Sequence, residues 1–176
     1  EGLSLAVGVA LAEALADFGL RGVALKWPND LLAGDAKLGG VLIEMSGDAE
    51  GPCRAVVGIG LNVRMPEEAA SAIDQRWTDL ATLAGGTPPS RSGLLAAVLG
   101  RVLPLLGGFG SEGFEPWRAR WEALDAFAGA PVQVLSGETR LAGVARGVDE
   151  RGALRLETTT GLRPIHGGEV SLRRRR

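Results

Sequence analysis

The chain has one cysteine, Cys53, and one histidine, His166. A single thiol excludes a disulfide framework and a cysteine-based metal site, and it fits an intracellular, reducing compartment. A single imidazole excludes a histidine zinc centre and a histidine triad within these residues. No metal ligand set is therefore expected. Net charge is also small, formally −2, so no global field recruits nucleic acid or a membrane. DNA binding is not supported, and the terminal run Arg173–Arg176 reads as a solvated tail. No run approaches the length of a membrane span. The apolar stretch Leu3–Leu15 contains Glu13 and lacks the basic flank of a signal peptide. The expected location is the cytoplasm.

Lysine is scarce as well. Nineteen side chains are basic, and only Lys26 and Lys37 among them are lysines. Both fall in one segment, Leu25-Lys-Trp-Pro-Asn-Asp30 and, shortly after, Asp35-Ala-Lys-Leu-Gly-Gly40. Arginine is a planar fork, whereas lysine is a compact point charge on a thin stem. Keeping lysine at these two places fits a crowded site beside a carboxylate or phosphate.

What is present is ordinary globular material. The 176 residues are 45% apolar and 23% charged, enough for one domain or one and a half. Apolar residues at helical spacing from Leu3 to Phe18, stopped by Gly19, predict a helix over residues 2–18 packed on a sheet. Val23–Trp27 reads as a strand ended by Pro28, and Leu31–Ala33 as a second short strand before a Gly34-Asp35 turn. Lys37–Ser46 and Arg54–Val63, separated by Gly47, Gly51 and Pro52, predict an antiparallel hairpin, with Cys53 as an inert residue of it. A helix start is expected at Pro66 and a short helical turn over Asp79–Leu83. Ser90 is the expected N-cap of a helix over Arg91–Leu106, broken by Gly107–Gly113. Phe114, Trp117, Trp121, Leu124 and Phe127 predict an amphipathic helix whose aromatics belong to the core. Five short β-like runs follow: Val132–Leu135, Leu141–Val148, Ala153–Glu157, Leu162–Ile165 and Glu169–Leu172. Their even spacing predicts a small barrel, with a domain boundary near Gly129. His166 is expected at the edge of that barrel.

The chemistry concentrates between Lys26 and Asn62. Strands would set the two lysines against each other across a sheet. Asn29 and Asp30 follow Pro28, so an amide and a carboxylate sit on a fixed turn, suited to a ribose, a phosphate or hydrated Mg²⁺. Gly39-Gly40 inside one strand and Gly58-Ile-Gly60 inside the next weaken both strands. Either they are bulges, or they bare the backbone to a flat ligand lying in an apolar slot with a cation at its end. Gly58-Ile-Gly60 is not a dinucleotide fingerprint, because it lacks the third glycine and the following helix.

The ordered series Lys26-Trp-Pro-Asn-Asp30, Lys37-Leu-Gly-Gly-Val-Leu-Ile-Glu44 and Val57-Gly-Ile-Gly-Leu-Asn-Val63 resembles that of the biotin protein ligases. Gly2-Leu-Ser-Leu-Ala-Val-Gly before it, and Trp121-Glu-Ala-Leu-Asp125 and Gly167-Gly-Glu-Val-Ser-Leu-Arg173 after it, extend the resemblance over nearly the whole chain. The resemblance implies an α+β fold: a mixed or antiparallel sheet packed with helices, part of a class II synthetase-like ligase domain (residues 1–128), then a small SH3-like β-barrel (residues 129–176). It implies that biotin is activated by ATP as biotinyl-5′-AMP and passed to a lysine of a biotin carrier domain, such as that of acetyl-CoA carboxylase. ATP, Mg²⁺ and biotin are the implied small molecules, and a homodimer formed through the sheet is a further expectation. Lys37 is the first choice for bridging the biotin carboxylate and the α-phosphate, with Lys26 adding positive field. Gly40, Leu42, Gly58, Gly60 and Leu61 would line the biotin slot beside Lys37. Asn29, Asp30, Asn62 and Arg173 would contact the nucleotide.

Two other readings stand beside this one: a non-catalytic nucleotide- or carrier-binding module of the same fold, and a lipoate-type ligase. The family's glycine- and arginine-rich adenylate loop, and several polar groups for biotin's ureido ring, belong upstream of the first helix. The chain starts at Glu1, directly into a helical pattern, and reads as part of a longer protein. Weak or no ligation is expected of these residues alone.

Overall fold

The structure, a computed structural model, describes residues 1–47, 54–66, 68, 73, 75–167 and 170–174. Cys53, Gly51 and Pro52 of the hairpin loop, most of the helix expected from Pro66, Glu169, Arg175 and Arg176 lie outside the described residues.

Helix α1 spans Leu3–Asp17, and its residues from Leu5 to Ala12 are all buried. A helix apolar on every side belongs in the interior. Gly2 opens it in the left-handed conformation at φ 76°, and a Cβ there would come within 2.6 Å of the Phe114 ring. Only glycine meets both demands. Against α1 lies a four-stranded sheet of β1 (Val23–Lys26), β2 (Asp30–Ala33), β3 (Ala36–Ser46) and β4 (Arg54–Leu61), in that order and antiparallel throughout. Of the two sheet types expected, mixed or antiparallel, the sheet is the antiparallel one, with two isolated parallel bridges beside it among the described residues, Leu25 with Asp125 and Lys37 with Trp77.

Helix α2 is the single turn Leu80–Leu83, capped by Asp79, whose Oδ1 accepts from the Thr82 N–H at 2.8 Å. Helix α3 runs from Arg91 to Glu112 behind the Ser90 cap. The break expected over Gly107–Gly113 is thus displaced: the helix passes through Pro104, Gly107, Gly108 and Gly110 and stops at Gly113, where φ is 68°. Leu94, Val98, Val102 and Leu105 are buried along one side, and packing of that stripe outweighs the weak propensity of the glycines. At 22 residues, with a mean hydropathy of 1.6 over its most apolar 18, α3 is long and apolar enough to cross a membrane. The expectation of no span-length run fails here on length and composition. Arg101 fixes α3 to α1 through Glu13 at 3.2 Å and Asp17 at 2.7 Å. The amphipathic helix expected over Phe114–Phe127 shortens to α4 (Glu115–Glu122), and Leu124 and Phe127 follow it in the connection. Phe114, Trp121 and Phe127 are buried, in keeping with a core role.

That connection is stitched to β1: the Leu25 N–H donates to Leu124 O and the Ala126 N–H to Leu25 O, both at 2.8 Å. A second antiparallel sheet follows, with β5 (Pro131–Ser136), β6 (Thr139–Val148), β7 (Leu154–Thr158), β8 (Gly161–Ile165) and β9 (Val170–Arg174) in the order β8-β7-β6-β5-β9. Val132, Val134, Ala145, Leu154, Leu156 and Leu172 are its buried side. Strand β9 runs two residues beyond the expected end. Arg173 and Arg174 therefore lie in a strand, paired with Gln133 and Val132, and not in a solvated tail.

The two sheets meet at Trp27, whose indole N–H donates to Gly152 O at 3.1 Å in a buried bond. Trp27→Phe keeps an aromatic ring, strands that carbonyl and leaves a void where the rest of the indole was buried. It is expected to cost about 1–3 kcal/mol, read as a lower denaturant midpoint at unchanged slope. An unchanged midpoint would show that the bond contributes nothing.

Candidate active site

Cross-strand register builds the site. Lys26 pairs with Asp30, Asp30 with Gly40, and Gly40 with Gly60. These four residues form one row across all four strands, and directly opposed residues share a face. Leu42 opposite Gly58 forms the next row on the same face. Lys37, three positions before Gly40, would point to the other face in a regular strand. The register shifts there: Leu31 opposes Gly39 and Leu32 opposes Lys37, which leaves Leu38 as an extra residue. Such a bulge changes which face the following residues occupy. It brings Lys37 beside Gly40, where a Cβ would lie 3.8 Å from Lys37 Cε and 3.5 Å from Asp30 Oδ1.

The result is a cation–carboxylate–cation cluster. Asp30 Oδ2 accepts from Lys26 Nζ at 2.8 Å, and its Oδ1 meets Lys37 Nζ at 2.5 Å. Asp30 is buried. Burial pushes its carboxyl up, but the hydrogen bonds and charges of Lys26 and Lys37 outweigh that and hold it below the usual carboxylate range. Because the folded group has the lower pKa, its stabilising effect is complete above the unfolded value near 3.8 and is lost as pH falls through the folded value. Asp30→Asn is therefore expected to flatten the acid limb of the stability–pH curve below about pH 4. It also leaves two ammonium groups facing each other, at about 1–3 kcal/mol near neutrality. Parallel acid limbs in thermal melts of both proteins would contradict this.

Two cavities meet at this cluster. One, of about 650 Å³, lies over Gly40, Leu42, Gly58 and Gly60, with Leu61, Met65 and Trp77 among its walls. The other, of about 800 Å³, is lined by Lys26, Lys37, Arg76, Arg173 and Arg174 against Asp30 and Asp35. Asp30 and Lys37 belong to both. The first is an open, glycine-floored slot with apolar walls at Leu42, Ile59 and Leu61 and polar groups at Asn29, Asn62 and Gln75. The second holds five cations and only two carboxylates, one of them already shared by both lysines.

Of the residues singled out in the sequence, Lys26, Lys37, Asp30, Gly40, Leu42, Gly58, Gly60 and Leu61 converge here. Asn29 lines the slot, and its carbonyl accepts from the Val41 N–H at 2.8 Å. Asn62 also lines the slot, but its amide nitrogen is engaged by Lys37 O at 3.3 Å and Thr78 O at 3.0 Å. Its amide therefore braces β3 against the strand-like segment at Trp77. Gly39 also lines the slot, but a Cβ there would point at Gly60 O, so its bareness serves packing between β3 and β4. Arg173 lies in the cationic cavity. Sequence reasoning missed Asp35, Arg76, Trp77 and Arg174, which no local motif marks. Among the described residues no group of three His, Cys, Asp or Glu side chains gathers to hold a metal.

Two family models match the chain: the biotin/lipoate A/B protein ligase family over residues 2–123, and the biotin protein ligase C terminal domain over residues 127–173. The bifunctional ligase/repressor BirA of Escherichia coli (strain K12) is 38% identical over 172 residues, covering 98% of this chain and 53% of the relative. The biotin--[acetyl-CoA-carboxylase] ligase of Paracoccus denitrificans is 33% identical, covering 84% of this chain and 62% of the relative. A solved biotin protein ligase from Aquifex aeolicus, in complex with biotin and ATP, is 34% identical with a TM-score of 0.83, covering 98% of this chain and 71% of that one. The chain thus spans about half the length of the BirA relatives it matches.

Proposed function

The chain belongs to the biotin protein ligase family, and from that premise we propose that it carries the adenylation centre of an ATP-dependent biotin–[acetyl-CoA-carboxylase] ligase, with a C-terminal barrel domain beginning near residue 129. One observation carries the reading: a glycine-floored slot with apolar walls and a cation-rich cavity join at Lys37 and Asp30. Biotin fits the first by chemistry, a small apolar bicycle ending in a carboxylate. ATP fits the second.

At the junction the biotin carboxylate oxygen attacks the α-phosphorus. The new bond is a mixed anhydride, and the bond that breaks is the bridging P–O, whose electron pair leaves with pyrophosphate. Lys37 faces both cavities and balances the charge gathering on the α-phosphate, while Lys26 holds Asp30 from the other side. Two anions are brought into one geometry under fixed positive charge. Asp30 keeps the lysines paired until substrates replace it as their counter-ion. In the second half-reaction the neutral amine of a carrier lysine attacks the biotinyl carbonyl, AMP leaves, and the amine proton is released. Mg²⁺ would come with the nucleotide substrate, which would bring phosphate oxygens and water as its ligands. Among the described residues β4 is the end strand of its sheet, and a second copy would extend the sheet there. The cytoplasm, where ATP and carboxylases meet, is the proposed location.

The C-terminal match to a biotin ligase domain favours biotin over lipoate. The test is biotin-dependent exchange of labelled pyrophosphate into ATP by the full-length protein, with lipoate as competitor. Exchange and labelling of a carrier domain are expected, with little competition by lipoate. A folded protein supplied with Mg²⁺ that does neither would overturn the reading.

A further inference from the structure

We propose that Asp35, Arg76 and Arg174 form a rim subsite that receives the β- and γ-phosphates of the nucleotide and the pyrophosphate released from it, with Asp35 as an exchangeable counter-anion. The proposal rests on the adenylation reading and extends it to groups outside the motif residues.

Asp35 sits at the tip of the β2–β3 turn, after Gly34 at φ 57°. One carboxylate oxygen is 4.0 Å from Arg76 Nη1 and the other 3.8 Å from Arg174 Nη1. Both separations exceed those of a charge-assisted hydrogen bond, about 2.7–2.9 Å. All three side chains are more than half exposed. Pairs of this kind are weak and screened by salt, so a polyphosphate can displace the carboxylate.

The arginines are nevertheless well placed. Arg76 is tied to Lys37 through its main chain, since the Lys37 N–H donates to Arg76 O at 2.9 Å. Arg174 donates Nη2 to Ala126 O at 2.8 Å and lies 5.0 Å over the buried Phe127 ring. Its guanidinium is therefore pre-positioned, which lowers the entropy lost on binding. Arg173 lines the same cavity, and its side chain makes no hydrogen bond or ion pair among the described residues. A planar fork suits phosphate oxygens, and a triphosphate tail complements the excess of cations in this cavity.

The test measures KM for ATP in adenylate formation and KM for pyrophosphate in the exchange reaction, in the full-length protein. Arg76→Gln and Arg174→Gln are expected to raise one or both values about three- to tenfold, the loss of one exposed charge–phosphate contact. Asp35→Asn is expected to lower them about two- to fivefold, with all three effects shrinking in high salt. A shift for ATP alone assigns the rim to the bound nucleotide; a shift for pyrophosphate alone assigns it to the leaving group. Unchanged values for both ligands in all three variants would overturn the proposal. Arg76, whose side chain is 81% exposed, guards against a folding defect in the Arg174 variant. If the parent protein exchanges no pyrophosphate, the adenylation reading fails on its own. Calorimetric titration with pyrophosphate then still decides the rim: equal binding by the parent and the Arg76→Gln/Arg174→Gln variant would refute it.

Discussion

Lys37→Ala is expected to slow biotinyl-adenylate formation by about 10²- to 10³-fold, the usual loss when one fixed charge or donor is removed from a transition state. Thermal stability should change little, because the ammonium group is a third exposed and its partner Asp30 keeps Lys26. Single-turnover measurement of adenylate separates this from carrier transfer. Binding of biotin alone should weaken far less than the rate falls, since the charge Lys37 meets develops only as the anhydride forms. Lys37→Arg is expected to fail as well. The end of the stem must pass the bare Gly40 backbone, with Cε 3.8 Å from where a Cβ would be, to bring Nζ to Asp30, and a guanidinium fork is wider than an ammonium. Lys26→Ala should act in the same direction, since Lys26 lines the cationic cavity and holds the other Asp30 oxygen. A near-normal rate for Lys37→Arg would sink the steric argument. A near-normal rate for Lys37→Ala would leave Lys26 as the working cation.

The convergence of the two lysines on Asp30 was half legible in the sequence. The scarcity of lysine and the motif order named the right residues, but strand reading set the lysines directly against each other, whereas β2 lies between them and Lys26 opposes Asp30. What local pattern does not carry is the bulge at Leu38. Period-two counting sends Lys37 away from Gly40, and only the shifted register brings it back. The same limit explains α3. The glycines from Gly107 onward read as a break, yet the buried stripe from Leu94 to Leu105 holds the helix together to Glu112. Arg174 and Asp35 lie 139 positions apart in sequence and meet only because the connection at Leu124–Ala126 is laced to β1. Contacts of that separation leave no trace in spacing or composition. Arg173 was named by resemblance alone, and the structure supplies a reason: β9 extends through it into the cavity of the two lysines.

The paired glycines provide the sharpest separation of packing from binding. Gly39 and Gly60 look alike in sequence, each bare backbone inside a strand, but their surroundings differ. A Cβ on Gly39 would stand 2.3 Å from Gly60 O and 2.8 Å from Leu61 Cδ2. The first of these is main chain in a paired strand, where the Asn62 N–H also donates to Leu38 O at 2.9 Å. Neither strand can yield without opening the ladder. Gly39→Ala is expected to destabilise the protein by on the order of 3 kcal/mol, the upper range for overpacking, a large share of the roughly 5–15 kcal/mol that holds a domain folded. A Cβ on Gly60 meets only Gly40 O, at 3.9 Å, and projects over the slot. Gly60→Ala should fold normally, since alanine loses less backbone entropy than glycine in a strand. Its methyl group would occupy the slot floor and raise KM for biotin by about 10- to 200-fold, the range for one misplaced carbon in an apolar pocket. Denaturant unfolding and biotin-dependent kinetics on both variants decide the matter. If Gly39→Ala unfolds normally but loses biotin, Gly39 belongs to the slot after all. If Gly60→Ala binds biotin as before, the substrate does not lie over the Gly40–Gly60 row.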